Sequence, residues 1–173
     1  MRNLSIVTSR TSSFITALYV VGYFVAGNIY VSFSLVPINL QSIVMMLGVI
    51  RSPKATLNAS IIYISLGLIG LPIFPGFESG STIITSPIFG YLIGFVLASY
   101  VAAKYDDCNE ITKVLVSELV LFGCGIFYLL FVLSKSWEET LYIGFEVFFV
   151  TEMLKVVLTL QLNRRIDGQL VPA

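Results

Sequence analysis

The sequence predicts an all-α integral membrane protein, and three observations carry that reading. Of its 173 residues, 57% are hydrophobic and only 12% are charged, about half the charged share of a soluble domain. The mean hydropathy is strongly positive, at +0.92. The apolar residues fall into long runs parted by short polar or Pro/Gly-rich stretches. Residues 1–173 therefore read as a single membrane domain of six transmembrane helices, with a short second helix and a structured external loop between helices 3 and 4.

Composition also excludes classes. The formal net charge is zero, which gives no footing for nucleic acid. There is no histidine, so the commonest metal ligand and general base is missing, and with it the His-dependent hydrolases. Cys108 and Cys124 have neither metal-ligand nor CxxC spacing, and Cys124 reads as a small apolar filler. Two arginines, Arg2 and Arg10, precede an apolar run, as in a signal peptide. That run, Phe14 to Phe33, is too long for a signal core and lacks a small-residue cleavage pattern, so it reads as the first transmembrane helix.

The segments follow in order. The first, about Ser13–Val31, carries small residues four apart, Ser13/Ala17 and Gly22/Ala26, which let helices approach closely in lipid. VPINLQ at Val36–Gln41 opens the second, with Pro37 suited to a first helical turn. As a helix, Pro37–Ile50 reaches only about 21 Å, against about 30 Å of hydrocarbon. Such a helix is tolerated where protein buries it or it lines a cavity. The third segment, about Thr56–Ile73, ends in GLIGLPIFPG, where Pro72 and Pro75 forbid a continuing helix. Phe74–Ser86 is too long, apolar and aromatic for a bare connection and reads as a lid. The fourth segment runs from Pro87 to about Lys104. The fifth, about Val114–Leu133, holds Glu118 near one end, where it reads as interfacial. The sixth is FEVFFVTEMLKVVLTL, Phe145–Leu160, continuing to Asn163, Arg164 and Arg165.

Orientation follows from the basic residues. With the N-terminus inside, Arg2, Arg10, Arg51, Lys54, Lys104, Lys113, Arg164 and Arg165 are all cytoplasmic, and only Lys135 is outside. Both termini are then cytoplasmic, and the VPINLQ turn, the Phe74–Ser86 loop and the Trp137 loop are external. The chemistry concentrates in the sixth segment. Glu152 and Lys155 sit three residues apart, hence on one helix face, near the middle of a run that could have been Leu and Val. A charge at the centre of a bilayer costs about 2.5–3.5 kcal/mol even on the lenient insertion scale. The pair marks either a functional site or an ion pair that locks the helix against its neighbours. Under external loops, it points to a ligand captured from outside.

VPINLQS followed by GLIGLPIFPGFESGSTIITSPIFGYLIGF resembles the BioY family, the biotin-specific S components of energy-coupling factor (ECF) transporters. Its members read close to VPITLQT, GLPVF, a Gly-rich loop and GPTGGYLIGF, and Gly70–Phe95 follows that pattern without a gap. Thr151, Glu152 and Lys155 stand where the family's PGDLIKA element has Gly, Asp and Lys. The departures are Ser86–Gly90 in place of GPTGG, a lid that keeps only Gly76 and Gly80, and Glu152 for Asp.

The resemblance implies biotin as transported ligand and a site built from Gln41, Phe74, Phe77, Tyr91, Glu152 and Lys155. Glu152 would accept the ligand's head N–H groups, Lys155 would donate to a ligand oxygen, and Phe74 and Phe77 would close over its apolar face. Asn39 stands where the family has Thr. For Tyr91 and the phenylalanines, residue type alone leaves simple packing open. No Walker A loop is present, and no cofactor is expected. ATP would act only through partners, a transmembrane coupling protein and two nucleotide-binding subunits, docked on the small-residue face of the first segment. An S component for thiamine or riboflavin remains the nearest alternative. A small self-sufficient carrier has no visible internal repeat behind it. Glu138–Glu139 resembles the EExxxR motif of CAAX-type membrane proteases, but position 143 is Ile and those enzymes need His.

Overall fold

The computed structural model describes the backbone of residues 2–31 and 38–170, and the side chains of 11–31, 38–142, 144–146 and 148–168. Helix α1 is Arg2–Gly27. Two short strands follow, β1 (Tyr30–Val31) and β2 (Ile38–Asn39), paired antiparallel with Tyr30 opposite Asn39. Then come α2 (Gln41–Arg51), α3 (Pro53–Leu68), α4 (Phe89–Lys104), α5 (Glu110–Phe127), α6 (Trp137–Leu141) and α7 (Val147–Leu170). Among the described residues, the architecture is all-helical apart from this ribbon.

Local chemistry sets several of these ends. Asn39 Oδ1 accepts the Gln41 N–H at 3.0 Å, giving an otherwise orphaned donor at the head of α2 a partner. Asn109 caps α5 by accepting from the Thr112 N–H at 2.8 Å, and Ser136 caps α6 through the Glu139 N–H, as N-cap side chains do. Helix α2 begins at Gln41, later than the sequence predicts, because Ile38–Asn39 is held extended against β1. The expectation for Pro37 lies outside the described residues. Helix α3 stops at Leu68, ahead of Pro72, and α5 begins at Glu110.

The short α2 is the centre of the bundle, touching α1, α3, α4, α5 and α7. Its buried residues, Gln41, Ser42, Met45, Met46, Gly48 and Val49, form one face, and its remaining residues are half-buried. A helix too short to span is thus buried by protein, as expected for one at membrane depth. The closest pairing is α4 on α5, where Gly94 faces the Leu121 backbone. A Cβ there would stand 3.1 Å from Leu121 Cα, tighter than nearly all real side chains come.

Outer faces are apolar: Phe14, Leu18 and Val21 on α1, Leu119 and Phe127 on α5, and Val150, Leu154 and Val157 on α7 are all exposed. By length and apolarity alone, one stretch among the described residues suffices to cross a membrane, the 23-residue Glu110–Val132. Thr11–Gly27, Gln41–Arg51 and Phe89–Lys104 are shorter apolar helices. The two small-residue pairs of α1 divide. Gly22 packs on Val44 and Ala26 is buried, whereas Ser13 and Ala17 face outward.

Two π turns, Tyr128–Val132 at the end of α5 and Tyr142–Glu146 at the start of α7, flank α6. π turns are rare and cluster near functional sites. The Phe74–Ser86 stretch is ordered by two 3₁₀ turns, Pro75–Phe77 and Gly80–Thr85, and by a bridge between Phe74 and Glu78. The Tyr128 hydroxyl donates to the Ile84 carbonyl, tying this stretch to the end of α5.

Candidate functional site

One cavity is lined by three of the buried polar residues, Gln41, Ser42 and Glu152. It lies between the head of α2 and the helices α4, α5 and α7, has a volume of about 50 Å³, and is lined by Asn39, Gln41, Ser42, Tyr91, Phe148 and Glu152, with apolar walls from α4 and α5. Larger hollows exist elsewhere, for instance an open groove between Thr16 on α1 and Ile62 on α3.

Glu152, the acid of the acid–base pair, forms part of the lining. Lys155 Nζ donates to Glu152 Oε1 at 2.6 Å and to Ser42 Oγ at 3.2 Å. Both side chains of the pair are only 8% exposed. The i, i+3 spacing on α7 brings the pair together, and Ser42 on α2 fixes the ammonium from the opposite wall. Glu152 Oε2 is buried and has no hydrogen-bond partner among the described residues, so a residue that lines the cavity keeps one carboxylate oxygen unused. A buried acceptor left unpaired costs about 1–3 kcal/mol, more if charged, and a ligand N–H would remove that cost. Lys155 itself does not line the cavity; it holds Glu152 from below.

Gln41 is the second anchor. It is 1% exposed, and its Nε2 donates to the Tyr23 carbonyl at 3.0 Å and to the Tyr63 hydroxyl at 2.8 Å. The Asn39 amide donates to Gln41 Oε1 at 3.3 Å, and the Tyr63 hydroxyl donates onward to the Ile73 carbonyl at 2.8 Å. The head of α2 is thereby tied to the root of the lid. Tyr91 stands on the opposite wall. Its ring occupies the space a Cβ on Gly125 would need, and its hydroxyl donates to the Gly144 carbonyl at 2.7 Å, inside the second π turn.

The sequence-predicted residues thus split. Gln41, Tyr91 and Glu152 meet at the cavity, with Lys155 beneath it. Phe74 and Phe77 do not line it. Phe74 is fully buried, edge-on to Tyr63 and packed across Gly67. Phe77 is 63% exposed at the loop tip, near Phe24, with a left-handed φ of 61°.

Three polar residues at or around the cavity do not stand out as site residues in the sequence: Ser42, Tyr63 and Glu118. Ser42 directly follows Gln41 in the VPINLQS string. Glu118 reads as interfacial from the sequence, but the structure buries it to 3% exposure, one turn from the cavity-lining Leu121 and Phe122. The correction arises because α5 starts at Glu110, which carries Glu118 into the helix's third turn.

Fold and cavity together define the class: an apolar helical bundle with a small, largely apolar cavity that reaches one member of a buried acid–base pair. The BioY family model matches residues 2–170, and the chain belongs to the BioY family. It is similar to a probable biotin transporter BioY of Pyrococcus horikoshii, 28% identical over 89% of this chain and 94% of that protein. It is also 30% identical to a probable biotin transporter BioY of Lysinibacillus sphaericus, over 75% of this chain and 70% of that protein. Its fold matches the crystal structure of an S component for biotin from an ECF-type ABC transporter with a TM-score of 0.74, at 24% identity, over 97% of this chain and 94% of that one. The family is one of transport components, and the chain is not an enzyme.

Proposed function

We propose that this chain captures biotin from outside the cell membrane as the substrate-binding S component of an ECF-type transporter. The observation that carries the reading is Glu152 Oε2, an unpartnered carboxylate oxygen of a residue lining the cavity, in a BioY chain. Biotin's cyclic urea carries two N–H donors that diverge about its carbonyl, and a carboxylate is the acceptor that suits one of them. Gln41 and Tyr91 fix the ligand from the side walls. Lys155 keeps Glu152 oriented and neutralises its charge within the membrane. Phe77, at the loop tip, closes over the mouth.

In this reading the chain is one domain of six membrane-spanning segments with both termini cytoplasmic. The short α2 and α4 cross with the help of their neighbours rather than alone. Release inside requires a transmembrane coupling protein and ATPase subunits. The outward-facing Ser13/Ala17 pair and the groove beside it on α1 and α3 suit the docking of partner helices. Gly22/Ala26 is already used inside the bundle.

The test is calorimetry on the purified, monodisperse protein with biotin, thiamine and riboflavin in parallel. Saturable heat with biotin alone supports the reading, and no heat with biotin overturns it. Binding of either other vitamin would keep the class and change the ligand.

A further inference from the structure

The polar residues that line the cavity have committed most of their donors to the protein itself. The Gln41 backbone N–H can only donate, and it reaches Asn39 Oδ1 at 3.0 Å. That contact fixes which end of the Asn39 amide is nitrogen, and the nitrogen donates to Gln41 Oε1 at 3.3 Å. Gln41 in turn spends both Nε2 hydrogens, on the Tyr23 carbonyl and the Tyr63 hydroxyl, so it can serve a ligand only as an acceptor. The Tyr91 hydroxyl gives its proton to the Gly144 carbonyl, and Glu152 is an acid. Two lining residues keep a donor. One is Ser42, whose oxygen takes an N–H of Lys155 beside Glu152. The other is Asn39, whose amide has a second N–H beyond the one given to Gln41. Asn39 is half-buried, in the extended lead-in to α2.

Cations are missing from the same lining: no lysine or arginine is among the residues around the cavity. In the orientation of the capture reading, Lys135 and Lys155 are the basic residues that do not lie on the cytoplasmic side. Lys155 is bonded to Glu152 and Ser42, and Lys135 Nζ to Glu139 Oε1 at 2.7 Å. We infer that Asn39 reads the carboxyl end of the ligand as a neutral hydrogen-bond acceptor, so that the ligands of this chain extend from biotin to its carboxyl-linked amides. This rests on the capture reading. With a ring N–H on Glu152, the aliphatic tail runs along the apolar lining of Leu92, Phe95 and Leu121, and its C=O oxygen meets the free Asn39 N–H. An amide keeps that oxygen and loses only the negative charge. A carboxylate brought to one neutral donor gives up water without gaining a counter-ion, so the charge adds nothing to its hold on this site.

The test is calorimetry on detergent-purified protein with three probes: biotin, biotinamide, and an analogue whose tail is a plain alkyl chain. Wild-type protein binds biotinamide within about ten-fold of biotin, the discrimination that 1.4 kcal/mol would give. Asn39→Ala weakens biotin and biotinamide alike, about three- to ten-fold, as loss of one neutral hydrogen bond does, and leaves the alkyl analogue at its wild-type affinity. Biotinamide bound more than about ten-fold weaker than biotin by the wild type overturns the inference, since the charge is then being read. That arm needs no variant, so it stands even where Asn39→Ala fails to fold. Unchanged biotin affinity in Asn39→Ala overturns the role of Asn39. So does an equal loss with the alkyl analogue, which makes Asn39 only a support for the head of α2. Wild-type protein that binds no biotin overturns the capture reading instead, and this inference falls with it.

Discussion

Replacing Lys155 with methionine separates what the buried pair does for stability from what it does for binding. Methionine keeps much of the length and the apolar stem of the side chain and removes the ammonium. The substitution breaks an ion pair whose nitrogen and oxygen stand 2.6 Å apart, with both side chains 8% exposed. At an effective dielectric constant of 20, charges at that distance attract by about 6 kcal/mol. Most of this attraction offsets the cost of taking two charges out of water, so the pair's net contribution is far smaller. Removing one partner is different, because the carboxylate stays buried without compensation, at a cost of about 3–5 kcal/mol. For a chain of this size, each kcal/mol moves the melting temperature by about 2–4 °C, so that of Lys155→Met should fall by about 6–20 °C. The double variant Glu152→Gln/Lys155→Met has no stranded charge and should lie within about 4 °C of wild type. Biotin binding should be lost in both. The assay is the size-exclusion peak that survives graded heating in detergent, paired with calorimetry. A double variant as unstable as Lys155→Met would refute the stranded-charge reasoning, and biotin heat retained in either would refute the role of the pair in binding.

Other expectations follow from the same geometry. Gln41→Leu removes two hydrogen bonds that tie α2 to Tyr23 and Tyr63; biotin titration should show at least about ten-fold weaker binding, and equal affinity would exclude Gln41 from the site. Phe77→Gly relieves a left-handed backbone that costs a bulky residue about 1–2 kcal/mol and deletes the exposed ring. Biotin should then dissociate faster with no loss in melting temperature, and an unchanged off-rate would remove Phe77 from any closing role. Ala17→Trp fills an outward face of α1. Co-purification with the coupling protein should fail while biotin affinity stays at the wild-type value, and intact assembly would move the docking face elsewhere.

Much of this architecture is legible in the sequence because the bilayer penalises anything out of pattern. Glu152 and Lys155 stand out since charge inside an apolar helix is expensive, and their spacing alone puts them on one face. The order of the helices and the short α2 follow from Pro, Gly and run length. What the sequence does not reveal depends on where a helix starts. Glu118 reads as interfacial when its segment begins near Val114; with Asn109 capping the helix, it becomes an interior residue. The α2 head is equally opaque, because its extended lead-in is set by pairing with β1 across intervening residues. Phe74 and Phe77 look alike in the string, yet Gly67 on α3 admits one ring into the core while the other stays outside. The π turns leave no compositional trace at all. Ser42 lies within VPINLQS, but only the approach of α7 to α2 shows that its hydroxyl meets an ammonium.

The smallness of the chamber has a kinetic consequence. At about 50 Å³ it is several-fold below the roughly 300–1,000 Å³ of drug-sized ligand pockets, so a bicyclic vitamin enters only after the walls part. Encounter and accommodation are then separate events, and only the roomier form takes up solute. The apparent dissociation constant is the intrinsic one divided by the fraction of molecules that are open. In rapid mixing, the observed association rate should climb with biotin concentration and then level off at the opening rate, well below the diffusional range.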